Sequence, residues 1–272
     1  MPELPEVETV VRGLRAPLIG RTVESVWSDL PYIVKPSFDE VVARLPGQTF
    51  RAITRRAKYI VCHLDHDLLL IHLKMTGRLY VVEDQVEDEA DRWLRFKLQL
   101  DCGQQLRFSD VRKFGRVVFT HDLETVTRDL GPEPLEDTFT LDLFHQRLQG
   151  RQKVIKALLL DQTFIAGVGN IYADEALFRA GIHPLRRSDS LKNDEVARLY
   201  NTIREALANG IDYEGASVNW YRKPDGTRGE SQEHFYVYGR EDEPCLTCGT
   251  LIVKTRVAQR GTHFCPNCQA EG

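Results

Sequence analysis

The chain has 272 residues, 42% of them hydrophobic, with six cysteines and a net charge of −4. That length favours two domains over one, and the apolar content is ample for real cores. No apolar run approaches the length of a membrane-spanning helix, and Glu3, Glu6 and Glu8 are unlike the basic front of a secretory signal. The expectation is a cytoplasmic protein with no membrane partner, in a compartment where disulfides are rare. The net charge argues weakly against a polyanionic partner, but basic residues are concentrated. Arg51 to Lys58 holds four and no acid, Arg107 to Arg116 four and one acid, and Cys245 to Cys268 three and no acid. Such stretches bind phosphate if folding gathers them on one face. The acids cluster elsewhere, chiefly in "EDQVEDEAD" (Glu83–Asp91), which reads as a solvated loop.

The first predicted element is a helix. Val7, Val10, Val11 and Leu14 share one helical face. Pro5 suits the first turn, where a missing N–H costs nothing, and Glu6 and Glu8 suit the positive end of the helix dipole. Pro17 predicts an end near Arg15. Period-two patterning follows: Leu94, Phe96, Leu98 and Leu100 alternate with Arg95, Lys97 and Gln99. "YIVCHL", "LLLIHL", "LYVV", "QLRF" and "RVVF" are further short β-rich runs between turns. They predict antiparallel sheets in a sandwich through about Thr120. "GPEPLED" (Gly131–Asp137) is a proline-rich connector, after which the period becomes helical. Gly150, Gly181 and Gly210 mark expected helix ends.

Chemistry concentrates in the last third. Cys245-x2-Cys248 and Cys265-x2-Cys268, sixteen residues apart, can present four thiolates from two tight turns. That spacing predicts one closed, structural Zn²⁺ site, leaving Cys62 and Cys102 outside it. Between the pairs, Arg260 before Gly261 predicts a tight hairpin tip presenting a cation, suited to phosphate. Gly167, Val168, Gly169 and Asn170 open a helix, where free N–H groups can receive an anion.

Taken together, "PELPEVETVVRGL", "KYI", "HLKMTG", "DVRKFG", "GVGNIYADEALF" and "RGTHFCPNCQ" resemble, in order and across essentially the whole chain, the bacterial formamidopyrimidine-DNA glycosylases. The resemblance implies an α+β multidomain fold. An N-terminal helix and antiparallel β-sandwich would occupy 1–130, with a linker at 131–137. A helix–two-turns–helix DNA-binding domain with a lesion-capping loop would occupy 138–235, and a four-cysteine zinc-finger β-hairpin 236–272. DNA would lie across the cleft between the domains. The implied enzyme is a monomer working on damaged double-stranded DNA at the bacterial nucleoid, a glycosylase for oxidised purines and an AP lyase.

The resemblance makes Pro2 the nucleophile once Met1 is removed. A secondary amine attacking a sugar C1′ displaces the base and leaves an iminium, so one covalent step serves both activities. A terminal amine has a reference pKa of about 7.7–8.0, and a nearby helix N-terminus disfavours its ammonium form. Glu3 is implied as acid/base, Lys58 as the catalytic lysine touching phosphate, and Arg260 as the finger arginine assisting the second elimination. Asn170 and Arg151 match DNA-backbone contacts. Met75, Arg112 and Phe114 match the residues filling the gap left by a flipped base, with the arginine serving the orphaned cytosine. Ala57 replaces a frequent glycine and Val111 a usual proline. Arg92, Trp93 and the loop Trp220–Ser231 take no assignment residue by residue. Two other readings remain at this level: an endonuclease VIII-type enzyme for oxidised pyrimidines, and a non-catalytic zinc-ribbon DNA-binding protein.

Overall fold

A computed structural model describes residues 1–271. Helix α1 (Leu4–Leu18) buries Val7, Val10, Val11, Leu14 and Leu18 along one stripe, each side chain contributing about 1.5–3 kcal/mol. A reciprocal box closes its N-terminus: the Glu6 carboxylate accepts the Glu3 N–H, and the Glu3 side chain accepts an N–H of the first turn. The helix passes the stop expected at Pro17. In the last turn a proline forfeits one intrahelical bond, and Leu18 gains full burial; the Ile19 N–H then closes on Arg15 O at 3.0 Å.

The chain divides into two compact units, Met1–Arg128 with Tyr213–Glu230, and Asp129–Asp212 with Ser231–Gly272. In the first, strands β1 (Val23–Ser28) and β2 (Val34–Lys35) precede helix α2 (Phe38–Arg44). Strands β3 (Ala52–Arg56), β4 (Tyr59–His63), β5 (Leu68–His72), β6 (Gly77–Glu83), β7 (Leu94–Leu100), β8 (Gln104–Asp110) and β9 (Arg116–Thr120) follow, then the one-turn helix α3 (Glu124–Thr127). They form a four-stranded sheet, β1-β7-β8-β6, and a five-stranded sheet, β2-β9-β5-β4-β3. All pairs are antiparallel except β2 with β9, which run parallel over two residues. Phe96, Leu98 and Phe108 from one sheet and Ile60, Cys62 and Val117 from the other enter one core with α1. Period-two alternation in β7 delivers Phe96, Leu98 and Leu100 to that core.

The acidic stretch Glu83–Asp91 is more than solvated chain. Asp88 caps a short 3-10 turn (Glu89–Trp93) and pairs with Arg78 at 2.7 Å. Arg107, almost fully buried, donates to Asp91, to Val86 O and to Asp84 O. Five donors in a fixed fork let one guanidinium gather several acceptors, which composition does not reveal.

In the second unit, α4 (Leu141–Leu148) starts under the Thr140 hydroxyl, which accepts the Leu143 N–H. Helices α5 (Ile155–Leu159), α6 (Asn170–Ala180) and α7 (Asn193–Asp212) follow, and strands β10 (Val253–Val257) and β11 (Arg260–Phe264) form a hairpin. Gly181 ends α6 with φ +67°, the left-handed cap that glycine adopts without penalty. Gly210 does not end α7. It lies inside the helix because the Tyr172 ring crosses there, and a Cβ would stand 2.5 Å from a ring carbon. No helix among the described residues is long and apolar enough to cross a membrane.

The segment Tyr213–Glu230, assigned from sequence to the helical domain, belongs to the first unit. Its Tyr221 side chain joins the core beside α1, and the Ala216 N–H donates to Glu6 at 2.8 Å.

Candidate functional site

The first group of candidate residues stands at the N-terminal end of α1 and on the β3–β4 turn. Pro2 and Glu3 are buried while Met1 is exposed, and Glu6 holds the Glu3 N–H at 2.7 Å. Lys58 occupies the two-residue turn closed by the Arg56–Tyr59 pair and is 4% exposed. Ala57 before it has φ +52°. A left-handed residue there explains why glycine suits this place; the Cβ costs roughly 1–2 kcal/mol. Arg55 ties the turn's leading strand to α1 through Glu8 at 3.2 Å.

Strand pairing adds a feature that sequence reasoning missed. β4 and β5 set Tyr59 opposite His72, their rings edge to face at 4.8 Å. His72 is buried, its Nδ1 accepts the Lys74 N–H at 3.0 Å, and Arg116 pairs beside it from β9. Burial pushes the imidazole down to about 3, helped by the charges of Lys74, Lys58 and Arg116. The result is a neutral histidine facing three cations, a locus that favours an anion such as phosphate. The only hint in the sequence is polar ends on two otherwise apolar strands.

Met75 stands on the turn leading into β6 and Arg112 and Phe114 on the turn joining β8 to β9, and Thr76 links the two turns. Arg112 N donates to Thr76 Oγ1 at 3.0 Å and to Asp110 Oδ1 at 3.2 Å, and the Thr76 hydroxyl bonds the same carboxylate. Gly77 and Gly115 enclose the Phe108 ring; a Cβ on either would stand within 3 Å of it. The Arg112 guanidinium lies 4.8 Å from the Phe114 ring centroid, and both side chains are exposed. Beside them Trp220 meets Trp93 edge to face at 5.8 Å, with Arg92 over Trp93 at 3.8 Å. A cavity of about 150 Å³ is lined by Thr76, Arg78, Arg92, Trp93, Asp110 and Trp220 among others.

The second unit carries the other candidates. Asn170 opens α6 after Gly169, and its Nδ2 donates to Gly261 O at 2.9 Å. Lys156 and Asp174, neither exposed, pair at 2.6 Å; Lys156 also donates to Thr262 Oγ1 at 2.7 Å and Gly261 O at 3.2 Å. The His263 N–H donates to Asp174 at 3.0 Å. Helices α5 and α6 thus grip the strand that begins with Arg260. Arg260 is exposed but is not the hairpin tip. Ala258 and Gln259, at φ +48° and +61°, make the two-residue turn, and Gly261 sits in β11 opposite Arg256. Positive φ at both turn residues matches strand twist, and these two adopt it without glycine. Arg151 folds back, its Nε donating to Arg147 O at 2.9 Å and its guanidinium 5.4 Å from the Phe164 ring.

The metal donors of Cys245, Cys248, Cys265 and Cys268 all lie within 4.8 Å of one another, with Cys248 and Cys265 sulfurs 3.5 Å apart and Cys245 and Cys268 3.9 Å apart. A tetrahedron of Zn–S bonds near 2.3 Å has sulfur edges of about 3.8 Å, so the donor set fits one Zn²⁺. Backbone N–H groups of Thr247 and Cys268 point at Cys245 and Cys265 sulfurs, each at 3.4 Å, as thiolate ligands require. Four protein ligands close the sphere, so the zinc is structural.

The chain matches the formamidopyrimidine-DNA glycosylase N-terminal domain over residues 1–117, the H2TH domain of the same enzymes over 130–221, and the zinc finger found in FPG and IleRS over 242–270. It is 48% identical to the formamidopyrimidine-DNA glycosylase of Herpetosiphon aurantiacus, covering 99% of this chain and 100% of the relative. It is 43% identical to that of Enterococcus faecalis, covering 99% and 97%. Lactococcus lactis Fpg in complex with DNA containing an abasic site superposes with a TM-score of 0.92 at 36% identity, covering 99% of this chain and 100% of that one. The same bacterium's FPG with a FAPY-dG containing DNA gives 0.91 at 35%, over the same shares. On the whole length of its sequence and its structure, the chain belongs to the formamidopyrimidine-DNA glycosylase family.

Proposed function

We propose that the chain excises oxidised purines, 8-oxoguanine and formamidopyrimidines, from duplex DNA and then cleaves the strand at the emptied site. The observation that carries the chemistry is the N-terminus of α1, where Pro2 and Glu3 are buried and Glu6 fixes the Glu3 backbone. After removal of Met1, the Pro2 nitrogen attacks the sugar C1′. The C1′–N bond breaks with its electron pair going to the base, which takes up the proton released from the attacking Pro2 nitrogen. Glu3 delivers a proton to the sugar ring oxygen, the ring opens, and an iminium joins Pro2 to C1′. Loss of a C2′ proton expels the 3′ phosphate, loss of a C4′ proton expels the 5′ phosphate, and water hydrolyses the iminium to free the sugar remnant and restore the Pro2 amine.

Lys58, beside the cationic surroundings of His72, holds a phosphate near the lesion. Arg260, at the start of β11, grips phosphate during the second elimination, and Asn170 and Arg151 contact the DNA backbone. Met75 and Phe114 fill the stack vacated by the flipped base, and Arg112 meets the orphaned cytosine, offsetting the unstacking cost. Zinc, held by the four cysteines, keeps the hairpin folded. With DNA as substrate, the place of work is the cytoplasm, at the nucleoid.

Borohydride trapping on a duplex with 8-oxoguanine opposite cytosine tests this. The expected result is a covalent adduct mapped to Pro2. No adduct, an adduct on Lys58, or stronger trapping on oxidised-pyrimidine duplexes overturns it.

A further inference from the structure

Glu6 is a buried carboxylate, 1% exposed, that reaches two backbone donors from distant parts of the chain. One oxygen accepts the N–H of Glu3 at 2.7 Å, and the other accepts the N–H of Ala216 at 2.8 Å, across 210 residues. The first donor belongs to the residue that follows the nucleophile. The second stands at the neck of the loop Tyr213–Glu230.

The neck is built to keep that contact. Gly215 has φ +79°, and a Cβ there would stand 3.0 Å from Glu6 Cγ and 3.1 Å from Glu6 Cα. The neck strands are joined by Glu230 N to Tyr213 O at 2.9 Å and by Gly229 N to Ser217 Oγ at 3.0 Å. Gly229 allows this, since a Cβ would meet Gly215 O at 2.2 Å. Further along, Tyr221 sits in the core against α1, and Pro224 stands where a Cβ on Gly13 would come within 2.9 Å.

We infer that Glu6 is a positioning residue that couples the order of this loop to the placement of Pro2 and Glu3. A carboxylate accepts at both oxygens, so loop and N-terminus are held by one group with one rotamer. When the loop neck moves, Glu6 must release Ala216 or turn with it, and turning disturbs the Glu3 backbone. The α1 N-terminus is then fully set for attack only while the loop is docked. This rests on Pro2 being the nucleophile.

The test uses the full chain with Met1 removed, and perturbs the link from each side. Glu6→Gln leaves one acceptor and turns an amide donor toward an N–H. Gly215→Ala strains the neck backbone at φ +79° and crowds Glu6 and Tyr221 from the loop, and removes nothing from the helix. In both, trapping on abasic-site DNA is expected to slow at least ~10-fold, the scale of a lost charge-assisted hydrogen bond, while affinity for a duplex with the unreactive tetrahydrofuran analogue stays within about twofold. The double variant is expected to be no slower than the worse single, as for residues acting through one link. Amide hydrogen exchange gives a readout independent of chemistry: Gly215→Ala should speed exchange at Glu3 as well as at Ala216. Faster exchange at Ala216 with Glu3 unchanged overturns the coupling, as does wild-type trapping speed in Gly215→Ala. Failure of the unmodified protein to be trapped at Pro2 overturns the nucleophile assignment instead, and the exchange result still decides the coupling.

Discussion

Replacing Asp174 by Asn keeps the shape of a buried ion pair and removes one charge. Lys156 Nζ lies 2.6 Å from Asp174, with both side chains fully buried. Removing one partner strands a buried ammonium, at a cost of about 3–5 kcal/mol. Thr262 Oγ1 and Gly261 O still accept from Lys156, so about 3 kcal/mol is expected. Against a total stability of roughly 5–15 kcal/mol, that is a large share, and it lowers the unfolding temperature by roughly 10 °C. Lys156→Met in the same background removes the stranded charge with an unbranched chain that refills the space, and should return at least half of the loss. Calorimetry on the wild type, both single variants and the double, with zinc present, closes the cycle. A chromophoric zinc chelator should strip metal faster from Asp174→Asn, since His263 loses its carboxylate partner next to the finger. An unfolding temperature unchanged by Asp174→Asn, or a double variant that loses the sum of the two singles, refutes the assignment of this pair as a coupled clamp.

Four further outcomes are expected. Cys265→Ser should take zinc from one ion per chain to none and weaken DNA binding, because metal binding and folding are coupled; metal analysis and a binding titration check it. Arg112→Ala should reduce discrimination between cytosine and adenine opposite the lesion by about 1–3 kcal/mol; equal losses opposite both bases contradict the role. His72 has its folded pKa pushed down to about 3, so below its unfolded value of about 6.5 the unfolded chain binds the extra proton. Stability should therefore fall as pH drops from 6.5 toward 3, by up to about 1.4 kcal/mol per pH unit from this group, and urea unfolding of His72→Phe should show a shallower slope. Protein retaining Met1 should bind lesion DNA without being trapped by borohydride, because an acylated proline nitrogen has no basic lone pair; intact-mass analysis of the trapping reaction reads this directly.

Local chemistry made much of the molecule legible. The Val7–Leu14 stripe implied α1, alternation implied β7, and the two Cys-x2-Cys turns implied the zinc site, because each signal lies within a few residues and follows from backbone period or ligand spacing. Local rules failed where a distant partner outweighed them. Pro17 did not stop α1 because Leu18 had a core to enter, and Gly210 stayed helical because Tyr172 packs on it. Ala258 and Gln259, not Gly261, make the hairpin turn. The acidic stretch Glu83–Asp91 acquired structure from Arg107, and His72 acquired its cations from β3–β4 and β9.

The candidate site shows the same division. Residue types at Pro2, Glu3, Lys58, Met75, Arg112, Phe114 and Arg260 were readable from motif and resemblance. That Arg112 shares Asp110 with Thr76, that Lys156 and Asp174 hold the strand of Arg260, and that Glu6 joins Glu3 to Ala216 were not. Each depends on a hydrogen bond or ion pair whose geometry exists only after the chain has brought remote segments together, as Thr76 to Asp110, Lys156 to Asp174 and Ala216 to Glu6. A carboxylate at position 6 carries no mark in the sequence of which donor, 210 residues away, it will accept.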